Sequence, residues 1–338
     1  MTNAVPHSIL DISPIPQGFT AGDALRNSLD VAQHAEALGY TRYWVAEHHN
    51  MTGNASSATA VLVGYIAGGT KTIRVGSGGV MLPNHAPLVI AEQFGTLASI
   101  YPGRIELGLG RAPGTDQMTA RALRRDLLGS DDRFPQDVRE LQHYFGPIQE
   151  GQVVRAIPGA DTEVPIWILG SSLYGAQLAA HFGLPYAFAS HFAPEQLLDA
   201  MSTYHELFKP SDKLSKPYSA FVMNVVAADT DDEAAHLFTT LQQNVIRMRR
   251  NTRGQLPPPI ANLDDFCESH EKTTAAHALR CSAVGSLQTV RKEMQYWLDQ
   301  TGANEIIITG QIYDHQARLR SFEIAAEAAK GLRSSSKS

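Results

Sequence analysis

Two adjacent imidazoles beside a carboxylate, Glu47-His48-His49, are the residues best suited to chemistry in this chain, since histidine changes charge near neutral pH and can donate or accept a proton. Side chains of neighbouring residues at a strand end point in different directions, so His48 and His49 are not expected to chelate one metal together, and no metal is expected. Read alone, such a pair is structural more often than not.

Three glycine-rich or small-residue stretches stand beside them. Gly76-Ser77-Gly78-Gly79-Val80 lets backbone approach a flat ligand, or forms a plain bulge. Gly108-Leu109-Gly110-Arg111-Ala112-Pro113-Gly114 departs from the G-x-G-x-x-G spacing of a dinucleotide loop, so the reading passes to Arg111 as an anion ligand or a structural ion-pair partner. Gly170-Ser171-Ser172-Leu173-Tyr174-Gly175 precedes a helical stretch and offers N–H groups and hydroxyls to a phosphate, or an ordinary Ser cap.

Each motif follows a short apolar run. Eight such runs, Ser8 to Ile12, Arg42 to Ala46, Ile73 to Val80, Ile105 to Leu109, Ile166 to Leu169, Tyr186 to Ala189, Ala220 to Val226 and Glu305 to Thr309, read as strands. Most are apolar at consecutive positions, as in parallel strands covered on both faces. Helical spacing between them appears at Asp23 to Leu38, Ser56 to Gly68, Leu88 to Ser99, Ala176 to Phe182, Pro194 to Leu207 and Asp231 to Arg249. The alternation predicts an α/β fold, a (β/α)8 TIM barrel as one domain over residues 1–338, with a doubly wound sheet plus appended domain as the other architecture considered. Insertions follow strand 4, residues 110–164, with a charged helix near Asp131 to Tyr144 and a hairpin-like Gln152 to Ile157, and strand 7, residues 250–281, a flap or a surface loop. The tail 333–338 is expected to fray.

The 338 residues carry 28 Lys+Arg against 34 Asp+Glu, a net charge of −6 that leaves no basic footprint for nucleic acid. With 43% hydrophobic and 18% charged residues, and no apolar run near 18 residues long, a membrane span is not expected. The opening residues lack a secretory pattern, so a cytoplasmic protein is expected, with Cys267 and Cys281 as reduced thiols.

Taken in order, Glu47-His-His49, Val75-Gly-Ser-Gly-Gly-Val-Met-Leu-Pro83, Pro102-Gly-Arg-Ile-Glu-Leu-Gly-Leu-Gly-Arg111 and Gly170-Ser-Ser172 with Phe182-Gly-Leu-Pro185 resemble the bacterial luciferase-like flavin-dependent monooxygenases. The likeness is densest over residues 8–120 and 164–192 and returns at Val284-Gly-Ser286 and 305–325. It implies a barrel holding reduced FMN (FMNH2) at its C-terminal mouth, reaction with O2, and oxidation of a small organic substrate, with reduced flavin from a separate reductase. It further implies His48 as the catalytic histidine, Glu92 as a carboxylate near the third strand's loop, and Arg111, Ser171, Ser172 and Gly175 around the phosphate. Gly78 and Gly79 match a pair joined by a non-prolyl cis peptide behind the flavin ring. Ser171 stands where luciferase has Glu, and His85 is displaced by one position from luciferase's histidine. A homodimer is the expected assembly. The other readings are an F420-dependent hydride-transfer enzyme of the same barrel family, a non-catalytic flavin-binding relative, and a phosphate-binding barrel isomerase or lyase.

Overall fold

The computed structural model describes residues 5–112, 116–123 and 133–334. Among them are nine strands: β1 (His7–Asp11), β2 (Arg42–Val45), β3 (Arg74–Met81), β4 (Ile105–Gly110), β5 (Ile166–Gly170), β6 (Tyr186–Phe188), β7 (Ser219–Ala227), β8 (Ser282–Gly285) and β9 (Glu305–Thr309). All pair in parallel. Each of β1 to β7 pairs with the next, β7 pairs with β9, and β9 returns to β1, which closes an eight-stranded barrel. The eight runs legible in the sequence are the eight barrel strands.

The short β8 lies outside the ring, alongside residues Asn224 to Ala227 at the end of β7. The helices are α1 (Ala21–Leu38), α2 (Thr59–Gly69), α3 (Pro87–Ile100), α4 (Gln117–Leu123), α5 (Phe134–Phe145), α6 (Leu173–Phe182), α7 (Leu197–Leu207), α8 (Asp231–Arg249), α9 (Ser269–Ala278), α10 (Leu287–Thr301) and α11 (His315–Ala329). Their ends follow local chemistry. Thr20 and Asp23 close a capping box on α1, which stops at Gly39 in the left-handed region.

Consecutive apolar residues on the strands serve two cores. One face packs against the helices, through residues such as Tyr43, Val45 and Phe221. The other fills the barrel with Leu10, Trp44, Ala46, Trp167, Ala187, Ala220, Val222 and Ile307. Below them Arg42 is buried between two carboxylates, Nη1 2.5 Å from Glu106 and Nε 2.8 Å from Glu305. Ser8, Tyr218 and Trp44 also donate to these carboxylates. This network closes the end of the barrel where the strands begin.

The insertions differ from expectation in part. Gln152 to Ile157 runs as an irregular loop, bent at Val154 and entering a turn at Ile157, rather than as a hairpin. Val153 is 93% exposed, so the alternation has no sheet to pack on, and the Gln152 side chain satisfies the backbone locally by bonding Val154 O. The helix near Asp131 begins at Phe134; Asp131 itself, Pro113, Gly114 and the tail 335–338 lie outside the described residues. The second insertion is anchored by α9, whose Ala275 and Ala278 pack with Leu241, Val245, Ile246 and Leu263.

Candidate active site

The barrel interior is lined by alternate residues of each strand, so Trp44 and Ala46 inside place His48 on the inward side, above the aromatic floor. His191 lies in the turn that follows β6, whose Ala187 faces the barrel interior. In the closed ring β2 and β6 stand four strands apart, on opposite sides. The charge of His48 nevertheless acts on His191, so the loops after β2 and β6 bring the two imidazoles within electrostatic range of each other.

Both have a buried Nδ1 without a hydrogen-bond partner among the described residues. Desolvation is the main cause that lowers the pKa of His48 to about 4; Glu47 opposes it, while His49 and Arg253 add to it. Desolvation and the charge of His48 lower that of His191 to about 3. At pH 7 both imidazoles are therefore neutral, each with an unused ring nitrogen. His191 was not singled out in the sequence, because it lies in a turn after β6, where strand periodicity no longer applies. Asn224 fixes its backbone, donating from Nδ2 to His191 O at 2.7 Å.

The Gly78–Gly79 peptide is cis, as the family resemblance implied. A Cβ on Gly78 would lie 2.7 Å from Leu10 Cδ1 and 3.0 Å from Trp44 Cβ, and one on Gly79 would lie 2.7 Å from Gly108 O. Only glycine lets β3 lie this close to the barrel filling and to β4.

Beside His48, Glu47 is buried and faces elsewhere. Its Oε1 is 2.8 Å from both His49 Nε2 and His85 Nε2, and its Oε2 accepts from Met81 N at 3.2 Å. Burial alone would raise its pKa, but these contacts outweigh it and bring the value to about 2. Glu47 thus ties the loop after β2 to the loop after β3.

Across the mouth, Arg111 extends from the end of β4, with its guanidinium 4.2 Å from the ring centroid of Tyr174 in the first turn of α6. No carboxylate among the described residues pairs with Arg111. Ser172 occupies the N-cap position of α6, yet its side chain does not cap the helix. Ser171 is exposed beside it, and Gly175 is buried against Gly170. A guanidinium with no carboxylate partner among the described residues thus lies against the first turn of a helix whose N-cap side chain does not cap it, the kind of helix end that suits an oxyanion.

Two loops border the mouth. Ile15 and Gln17, after β1, exchange backbone hydrogen bonds with Leu256 of the second insertion at 2.8 and 2.9 Å. Gly53, after β2, lies against Gly254. Residues 253–256 of the insertion are therefore tied to the loops after β1 and β2. Asp11 is not part of the mouth. Burial would raise its pKa, but Arg318, 2.6 Å away, with hydrogen bonds from Ser28, Tyr43 and Ser13, holds it below the usual carboxylate range. Glu92 lies on the second turn of α3, half-buried, and among the described residues its carboxylate makes no hydrogen bond to the groups above.

A family model described as luciferase-like monooxygenase matches residues 8–305. A protein of Escherichia coli (strain K12) named luciferase-like monooxygenase is 54% identical over 328 residues, 97% of this chain and 98% of its own. The N-acetyl-S-alkylcysteine monooxygenase of Bacillus subtilis (strain 168) is 38% identical over 330 residues, 95% of this chain and 97% of its own. The crystal structure of apo-MsnO8 superposes with a TM-score of 0.91 at 35% identity, covering 97% of this chain and 99% of that one.

Proposed function

Because this chain belongs to the luciferase-like monooxygenase family, we propose that it is an FMN-dependent monooxygenase that receives reduced flavin from a separate reductase and uses O2 to oxidise a small organic molecule. The observation that carries this reading is Arg111 at the mouth, without a carboxylate partner among the described residues, stacked on the first turn of α6, whose N-cap side chain leaves the helix end uncapped. A flavin needs such a site for its phosphate, and the residues fit one. The name of the Bacillus subtilis relative at 38% identity supports oxygenation as the reaction type.

When bound, FMN supplies the electrons that activate O2, which no side chain of the protein can do. In this reading Arg111, Ser171, Ser172 and Gly175 hold the phosphate, and Gly78 and Gly79 back the ring. Glu92 remains a flanking carboxylate of the cofactor site. His48 acts on the reacting atoms as a neutral imidazole, accepting a proton before it donates one, with His191 a second neutral imidazole within its electrostatic range. The 253–256 segment clasped to residues 15–17 excludes water, which strengthens each polar contact beneath it.

The described residues contain no helix long and apolar enough to cross a membrane. We assign residues 1–338 to one domain working in the cytoplasm as a homodimer. Val61 and Tyr65 on α2, with Val89 and Ile100 on α3, are exposed apolar side chains that support pairing of two copies.

The test is an anaerobic titration of the pure protein with oxidised FMN, dithionite-reduced FMN and F420, followed by admission of O2. Binding of reduced FMN and O2 consumption above the free-flavin background are expected. Binding of F420 alone would move the assignment to hydride transfer. FMN binding without O2 consumption would mark a non-catalytic relative, and binding of neither would remove the flavin.

A further inference from the structure

We propose that Glu47, His49 and His85 form a binding site for a divalent d-block cation such as Zn2+, separate from the flavin site. Glu47 Oε1, His49 Nε2 and His85 Nε2 lie within 4.8 Å of one another, each imidazole 2.8 Å from the carboxylate. The three come from two loops, His85 following the turn Leu82–Asn84 after β3, and only the barrel brings them together.

The charge balance favours a cation. Glu47 is 1% exposed, and among the described residues no lysine or arginine pairs with it. A buried carboxylate requires compensation. The imidazoles provide it only when one is protonated, whereas a divalent ion provides it with both neutral. Two imidazole nitrogens and one carboxylate oxygen are the three-ligand set that zinc uses with a fourth position left for water. His49 is 13% exposed and His85 28%, so the ion and its water have access from the solvent side. Metal–ligand bonds of about 2.0–2.1 Å set neighbouring donors roughly 3.3 Å apart, so each imidazole must withdraw from Glu47 by about half an ångström, and the two imidazole nitrogens, now within 4.8 Å of each other, must settle at that same separation. Binding uses the Nε2 lone pairs: in each neutral ring the proton moves to Nδ1, and no net proton is lost. Glu47 Oε2 keeps its bond from Met81 N throughout.

The experiment uses the untagged, chelator-treated protein without flavin, so it does not depend on the proposed activity. It is titrated with ZnCl2 by calorimetry and with CoCl2 by visible absorption. One equivalent is expected to bind with a Kd of about 1 μM or tighter, with Co2+ giving the intense visible bands of a four-coordinate site. Glu47→Gln and His85→Gln should each weaken binding by about 100-fold or more, while His48→Ala retains it. Thermal unfolding of each apo variant confirms that it folds. Absence of saturable binding in the parent protein would overturn the proposal, as would binding that survives both Glu47→Gln and His85→Gln.

Discussion

The guanidinium of Arg111 lies 4.2 Å from the ring of Tyr174, so the end of β4 and the first turn of α6 share one cation. Stacking on an aromatic face orients the guanidinium without consuming its N–H donors, which stay available to an oxyanion. A lysine at this position would bring charge but neither the stacking nor the fork.

Arg111→Ala is expected to weaken FMN binding about 10-fold or more while barely altering riboflavin binding, because the lost contact is charge-assisted and made to phosphate. Fluorescence titration of both ligands measures this. An equal loss for FMN and riboflavin would place Arg111 away from the phosphate.

His48→Ala should leave reduced-FMN affinity nearly intact and lower product formation about 100-fold, the scale of acid–base catalysis. Since burial keeps His48 neutral down to about pH 4, its contribution to turnover is expected to be level between pH 6 and 8. A wild-type profile with a step near pH 6.5 that disappears in His48→Ala would show instead that the imidazole titrates as if exposed.

The same burial links stability to pH. Histidines with lowered folded values leave the unfolded chain holding more protons below about pH 6.5, so stability present above that value is lost as pH falls toward 4 and 3. Urea midpoints recorded from pH 7 to pH 4 are expected to fall less steeply in His191→Gln than in the parent. Parallel curves would mean that His191 is not held neutral. Glu47, with its value lowered to about 2, contributes in a lower window, below about pH 4.5.

Arg42→Met should cost about 3–5 kcal/mol in chemical denaturation, because it leaves the carboxylates of Glu106 and Glu305 buried without their shared cation. A loss below about 1 kcal/mol, the range of an exposed pair, would show that solvent reaches the base of the barrel.

Gly53→Ala tests the tie between the 253–256 segment and the loop after β2. The new Cβ would lie 2.1 Å from Gly254 O, so the two loops must part, at a cost of about 1–3 kcal/mol. Hydrogen exchange at the Leu256 amide, bonded to Ile15 O in the closed arrangement, is expected to accelerate. Unchanged protection there would show that the segment is held by other contacts.

Much of this architecture was legible along the chain. Ile105 to Leu109 or Glu305 to Thr309 reads as a buried parallel strand because both faces meet apolar neighbours, and periodicity records that locally. Ser282–Gly285 escaped notice because it is four residues long and only half its positions are buried. Gln152 to Ile157 misled for the converse reason: alternation without a partner strand makes no sheet.

By itself the sequence determined the eight barrel strands, the glycines where β3 and β4 must touch, and the placing of His48, Arg111 and Ser172 at strand ends, all properties of short windows of residues. Only the tertiary structure decided that His191 lies within the electrostatic range of His48, that Glu47 takes His49 and His85, and that the 253–256 segment is tied to the loops after β1 and β2. Those relations depend on closing a ring of strands, and ring closure brings together residues whose separation along the chain carries no record of their distance in space.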